Sequence, residues 1–337
     1  MAPTFETDGS PPAGVIAVGG SAGGVEALKQ LAAGLPADLP FAVLVVLHMA
    51  PGTPSVLGQI LDRCGPLPAA AAIDGEPVRA GRIYVAVPDY HLLVGDHRIV
   101  VSRGPTEDGH RPAINPLMRS AALAYGERAI GVLLSGVLDD GVLGLAAIHS
   151  RGGVVVVQDP ADAAFPSMPR NALANVPVDH QVTATAAGDL FAALAGRRSP
   201  KVSMRPDPAI ELENRIAMGS RFRDTLDSEV LGPPSGYTCP DCNGSLQTVG
   251  TSNYRCQVGH AWTPEALLKA RDTEAENALW VALRSLQEKS HLSRTHAESV
   301  GPGALRRLHG DCRRDRTRRE SVARTPRRGL SQDCGVD

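Results

Sequence analysis

Between Val15 and Leu194 the chain alternates short, uninterrupted apolar runs rich in β-branched residues with longer Ala/Leu-rich segments. The runs are VIAV, FAVLVVL, RIYVAV, AIGVLLS and GVVVVQD, and the segments between and after them predict helices near 24–34, 54–64, 115–126, 142–150 and 188–195. A strand that is apolar on both faces has to be covered on both faces, and strands separated by helices are joined by crossovers. The pattern therefore predicts a doubly wound, mostly parallel α/β sheet of the Rossmann-like kind. The segment HLLVGDHRIVVS at 91–102, two short runs around Gly95-Asp96, reads instead as an antiparallel hairpin. Hydrophobic residues make up 43% of the chain but aromatics only 4%, so the core has to be built from aliphatic side chains.

Composition divides the rest. The first domain is expected over 13–195, a linker and helical segment over 196–236, and a Cys/His module over 237–262. An amphipathic helix follows over 263–300, and an Arg-rich tail, read as disordered, over 301–337. Net charge is −2, but from residue 305 onward ten Arg face five acidic groups, so everything before is mildly acidic and a poor surface for nucleic acid. Apolar runs fall far short of the ~20 residues of a membrane span. The polar, Pro-containing start lacks the features of a secretory signal, which leaves a cytoplasmic protein as the expectation.

Three strand ends carry chemistry. The first strand runs into Gly19-Gly20-Ser21-Ala22-Gly23-Gly24 and then a helix, which places Ser21 on a sharp strand-to-helix turn of the G-x-S-x-G kind. Phosphate binding in a dinucleotide domain is the competing reading of such a turn. The spacing is not G-x-G-x-x-G, however, and the second strand ends in His48 rather than in an acid for a ribose, which argues against an NAD(P) oxidoreductase. A parallel sheet sets successive strand ends side by side, so His48 can reach Ser21 as a general base. The strand AIGVLL ends in Ser135-Gly136-Val137-Leu138-Asp139-Asp140-Gly141, where either aspartate could orient the imidazole and either could cap the following helix.

With GGSAGG at 19–24, LHM at 47–49 and SGVLDDG at 135–141 in hand, the chain resembles the catalytic domain of the chemotaxis protein-glutamate methylesterases, the CheB type. Further matches are GRIYVAVPDYHL at 81–92, RPAINPLMRSAA at 111–122 and QDPADAAFPSMPRNAL at 158–173. The resemblance implies a serine hydrolase with Ser21 as nucleophile, His48 as base and acid, and Asp140 as the orienting carboxylate, with no cofactor for catalysis. It implies hydrolysis of γ-glutamyl methyl esters, and deamidation of glutamine at the same positions, in chemotaxis or related two-component signalling. The implied partner is a methylated chemoreceptor-like protein, with a chemotaxis methyltransferase or a separate response regulator beside it. The family pattern reads Gly-Met-Gly before its acid pair, where this chain has Gly136-Val137-Leu138. Members also commonly carry a receiver domain ahead of the esterase; only about 14 residues precede the first strand, so a stand-alone form is expected.

The second constellation is Cys239-x2-Cys242, thirteen residues, then Cys256-x3-His260, four ligands of the kind that close a tetrahedral structural Zn²⁺ site. Tyr254 and Arg255 between the knuckles form a faint nucleic-acid pattern, against which plain structural packing is the stronger reading. Ala278, Leu279, Val281, Ala282, Leu283 and Leu286 share one helical face, which either packs on the module or docks a partner. The rival to an esterase is a signalling scaffold with a decayed site that binds partners through the module and helix. Because Ser21, His48 and Asp140 all precede Ala195, the module is expected to leave turnover of a small ester untouched.

Overall fold

The computed structural model describes residues 11–50, 52, 54–195, 207–219, 232–249 and 253–300. The tail at 301–337, the linker at 196–206 and the stretch at 220–231 lie outside them. The described residues up to Leu267 form one compact unit and those from Leu268 to Val300 belong to a second.

Seven parallel strands make the first unit's main sheet. They are β1 (Gly14–Gly20), β2 (Phe41–Leu47), β3 (Ala69–Ala71), β4 (Ile83–Val85), β7 (Ala129–Leu133), β8 (Val154–Gln158) and β9 (His180–Val182). Their order is β3-β4-β2-β1-β7-β8-β9, so the chain winds outward from β1 in both directions. The helices are α1 (Gly24–Gly34), α2 (Leu57–Cys64), α3 (Ile114–Tyr125), α4 (Val142–Ser150), α5 (Ser167–Asn175) and α6 (Ala187–Ala195). β1 and β2 are buried along their whole length, as runs apolar on both faces require. Their side chains alternate between two cores. Val15, Ala17, Leu44 and Val46 pack with Leu117, Met118 and Leu145 of α3 and α4, whereas Ile16, Val18, Val43 and Val45 pack with Leu28, Leu31, Leu61 and Phe191 of α1, α2 and α6.

The predicted hairpin forms as β5 (His91–Gly95) and β6 (Arg98–Ser102). Its turn is centred one residue later than the sequence suggests, on Asp96 and His97, both with positive φ as a tight primed turn demands. Helix α2 begins at Leu57 rather than 54, because Pro54 and Ser55 belong to the preceding loop. Helix α7 (Pro208–Ala217) follows, capped by the Asp207 carboxylate on the amides of Ala209 and Ile210.

The Cys segment is a four-stranded antiparallel sheet: β10 (Pro234–Thr238), β11 (Ser245–Val249), β12 (Asn253–Cys256) and β13 (Ala261–Trp262). It ends in helix α8 (Pro264–Val300), which covers the predicted amphipathic segment. Within the second unit Leu279 and Val281 are exposed while Leu283 and Leu286 are half-buried. Among the described residues no helix is long and apolar enough to cross a membrane.

Candidate active site and Cys/His cluster

Strand register assembles the site. Gly20 of β1 is paired with Leu47 of β2, so the next residue on each strand, Ser21 and His48, emerges from the same edge side by side. Gly19 is paired with Leu133 of β7, which brings the 135–141 loop to that edge as well. Backbone bonds hold the three ends together: Ser21 N–H donates to the Ser135 carbonyl (2.9 Å) and His48 N–H to the Gly20 carbonyl (3.1 Å). The Ser135 hydroxyl donates to the Ala22 carbonyl at 2.8 Å. Small residues are mandatory here. A Cβ on Gly136 would lie 2.3 Å from Met168 Cε and 3.0 Å from Ser21 Cβ, and Gly23 sits at φ 71°.

Ser21 Oγ lies 3.1 Å from His48 Nδ1, and His48 Nε2 lies 2.7 Å from Asp140 Oδ2. Asp140 also accepts the amide N–H groups of Ile114 (2.7 Å, to Oδ2) and Asn115 (3.0 Å, to Oδ1) at the start of α3. Burial alone would raise this carboxyl, but the bonds from His48 and α3 outweigh it and hold it below the ordinary aspartate value. A carboxylate accepts only, so Nε2 carries the ring proton and Nδ1 is left with a lone pair for the Ser21 hydroxyl. The cap that the sequence allowed at α4 is absent: its N-cap is Gly141 without a side-chain bond, and Asp140 caps α3 instead. Of the two candidate aspartates only Asp140 reaches His48. Asp139 accepts the Thr263 hydroxyl (2.9 Å), and burial pushes its carboxyl up to about 6.

At the turn after β1 the Ser21 N–H donates to the Ser135 carbonyl and the Gly24 N–H to the Ser21 carbonyl, so both are engaged within the backbone. Where the family pattern has its second glycine, Leu138 takes φ 63°, a left-handed conformation that costs a side-chain-bearing residue about 1–2 kcal/mol.

Sequence reasoning missed His110. Its ring stacks on that of His48 with centroids 3.8 Å apart and planes 14° apart. Burial, with the charge of His48 adding to it, lowers His110 to about 4. Nothing local marks it, since the approach to His48 is made only by the tertiary fold. A buried ion network was also not foreseen. The Arg119 guanidinium donates to Glu107 (3.1 and 2.5 Å), and Arg255 of β12 reaches both Glu107 (3.5 Å) and Glu213 of α7. Burial would raise Glu107, but Arg119 and Arg255 outweigh it and keep the carboxyl below its usual value. At 1% exposure Arg255 is a structural ion, which settles the choice between packing and nucleic-acid contact for that residue.

Cys239, Cys242, Cys256 and His260 converge, with ligand atoms all within 4.8 Å of one another. His260 Nδ1 is 3.6 Å from Cys239 Sγ and 3.5 Å from Cys256 Sγ, and the Cys242 and Cys256 sulfurs are 3.7 Å apart. Zn–S bonds of about 2.3 Å and a Zn–N bond of about 2.0 Å in a tetrahedron require S···S edges of about 3.8 Å and S···N edges of about 3.5 Å. The donor set and its spacing fit that ion. Burial, then the neighbouring Cys239, pushes the Cys256 thiol up to about 12.

The CheB methylesterase family profile matches residues 16–190. Protein-glutamate methylesterase/protein-glutamine glutaminase 4 of Myxococcus xanthus is 41% identical over 157 residues, which cover 46% of this chain and 44% of that protein. A protein-glutamate methylesterase/protein-glutamine glutaminase 2 of Caulobacter vibrioides is 39% identical over 181 residues, 51% of this chain and 52% of that one. The chain thus spans about half the length of these curated relatives. The crystal structure of the Thermotoga maritima CheB methylesterase catalytic domain superimposes with a TM-score of 0.52 at 28% identity, covering 54% of this chain and 98% of that one.

Proposed function

The chain belongs to the CheB methylesterase family, and from that premise we propose that it is a protein-glutamate methylesterase acting on methylated chemoreceptor-like proteins in the cytoplasm. The supporting observation is the continuous chain of contacts from Ser21 Oγ through His48 to Asp140, at 3.1 and 2.7 Å. In the proposed reaction Ser21 Oγ attacks the ester carbonyl carbon while its proton passes to His48 Nδ1. Asp140 stabilises the imidazolium and holds its tautomer. The Ala22 and Gly23 N–H groups, at the start of α1, face the oxyanion of the tetrahedral intermediate. Collapse breaks the C–O bond, and the Nδ1 proton leaves with methanol. Water, deprotonated by the same nitrogen, then frees the carboxylate and restores Ser21. A glutamine side chain passes through the same intermediate with ammonia as the leaving group, so deamidation belongs to the proposal. An intact contact chain speaks against a decayed scaffold.

We further propose that Cys239, Cys242, Cys256 and His260 hold a Zn²⁺ that folds the module and takes no part in the reaction, all four positions being filled by protein. The division into a catalytic domain over 13–195, a connector, the module over 237–262, a helix and a tail is part of this reading, as is control by a methyltransferase or separate response regulator.

Methanol release from a methylated receptor fragment tests the esterase. Ser21→Ala should cost on the order of 10⁶ in kcat. Asp140→Asn should cost about 10⁴, and Asp139→Asn less than about tenfold. Substantial release by the Ser21 variant, or an equal loss at both aspartates, would reject the assignment.

A further inference from the structure

His110 stacks on His48, and it sits at the end of a turn that the Cys/His module holds. The turn runs from Pro105 to His110, between β6 and α3, and closes on itself through paired backbone bonds between Glu107 and His110 (3.2 and 2.9 Å). From the module, Ala261 of β13 adds to it as a short parallel strand would: Ala261 N–H donates to the Thr106 carbonyl (3.1 Å) and Asp108 N–H to the Ala261 carbonyl (2.8 Å). Thr263 N–H then donates to Asp108 Oδ1 at 2.7 Å, and Asp241 accepts the Thr106 hydroxyl. Trp262 packs on Gly109, where a Cβ would come within 3.3 Å of the indole ring. The first domain contributes its own ties, from His91 Nε2–H to the Pro105 carbonyl (2.8 Å) and from Arg119 to Glu107.

We infer that the Cys/His module braces the catalytic base: β13 fixes the 105–110 turn, and His110 at its end is a positioning residue that holds the His48 ring by stacking. The inference rests on the esterase reading above. His48 has to keep Nδ1 on Ser21 and Nε2 on Asp140 in one plane, and those two bonds alone leave the ring free to rock about the line between them. A second ring parallel to it at 3.8 Å removes that freedom. Since burial lowers His110 to about 4, the stacked ring is neutral at physiological pH and adds no positive charge beside the imidazolium of the transition state. The module thus acts on the reaction without supplying an atom to it. This departs from the expectation that a module following Ala195 is indifferent to small-substrate turnover.

Full-length protein and a small methyl ester carry the test. His110→Ala should lower kcat about 10- to 100-fold with KM unchanged, whereas His110→Phe, which keeps a flat ring to stack, should stay within about threefold of wild type. Trp262→Ala should slow turnover on its own yet add nothing in the His110→Ala background, since both act through one ring. Wild-type kcat in His110→Ala, a phenylalanine variant as slow as the alanine one, or multiplying losses in the double variant would each overturn the brace. If wild-type protein releases no methanol, the esterase reading is what fails. Long-range ¹H–¹⁵N spectra of His48 still judge the brace in that case. A single Nε2–H tautomer in the wild type and the phenylalanine variant, with a mixture in His110→Ala, supports it; the same single tautomer in all three overturns it.

Discussion

The seven-stranded domain and the Cys/His module hold their shapes by different physics. In the first, Val15, Ile16, Ala17 and Val18 of a single strand are all fully buried, each packed into one of two aliphatic cores. Burial at about 25 cal/mol per Å² is the main stabilising term there, and it is spread over many side chains. The module has four short strands and few buried apolar groups, chiefly Leu246 and Trp262; its other buried side chains include Cys239, Cys256 and Arg255. Such a segment buries too little apolar surface to stand on it alone, and on the proposed reading it depends on a few strong, specific links: the Cys₃His set and the Arg255–Glu107–Glu213 network. One region is therefore expected to degrade gradually under substitution and the other to fail all at once.

The largest effect expected is the loss of the module. Cys256→Ser, or chelation of the wild type, should open residues 234–263 to protease while the parallel sheet keeps its far-ultraviolet signal and its own thermal transition. Turnover should fall only to the rate of His110→Ala, far above that of Ser21→Ala. Coincident melting of both regions after chelation would abolish the contrast, making them a single cooperative unit. Mass spectrometry of limited digests, with and without chelator, reads this directly.

Next is the buried network. Arg255→Met leaves Glu213 without its close partner and Glu107 with Arg119 alone, and breaking such a pair costs about 3–5 kcal/mol. Chemical denaturation monitored by the fluorescence of Trp262 should register that loss in the module before the far-ultraviolet signal of the sheet changes. A variant as stable as the wild type would mean that the network is dispensable and would leave the Cys/His cluster as the module's main link.

The smallest effect tests the seam between the regions. Asp139 titrates at about 6 in the folded protein against 3.8 in the unfolded reference. Between those values the folded state keeps a proton that the unfolded state has released, so stability declines as pH rises from about 4 to about 6 and stays at the lower level above that. Asp139→Asn keeps the acceptor for Thr263 and removes the buried charge. It should be more stable than the wild type by about 1 kcal/mol at pH 8, after allowance for partial exposure, and equal to it near pH 3.5. Melting curves at the two pH values decide it; equal stability at pH 8 would show that solvent already compensates the charge.

The two regions also differed in how much the sequence disclosed. β1, β2, β7 and β8 are legible because continuous β-branched runs have one economical fate, and Ser21 and His48 are legible because they follow two of those runs immediately, whereas the choice of Asp140 over Asp139, seven residues beyond β7, came only from the family resemblance. β3 is Ala-Ala-Ala and β9 His-Gln-Val, strands only because β4 and β8 present edges for them, so neither carries a pattern of its own. His110 was hidden for a similar reason. Its neighbours Gly109 and Arg111 say nothing of a ring that arrives from another loop. The Cys/His cluster was visible as spacing, but the attachment of β13 to the 105–110 turn was not, since two-residue strands leave no periodicity to read.

The separations within the proposed triad have a consequence in time. His48 follows Ser21 by 27 residues, but Asp140 follows His48 by 92. At a synthesis rate of about 5–20 residues per second, Asp140 leaves the ribosome roughly 5–18 seconds after His48. The β13 segment emerges later still. On the proposed roles, a nascent chain therefore exposes its nucleophile and its base well before the carboxylate that is to orient that base has been made.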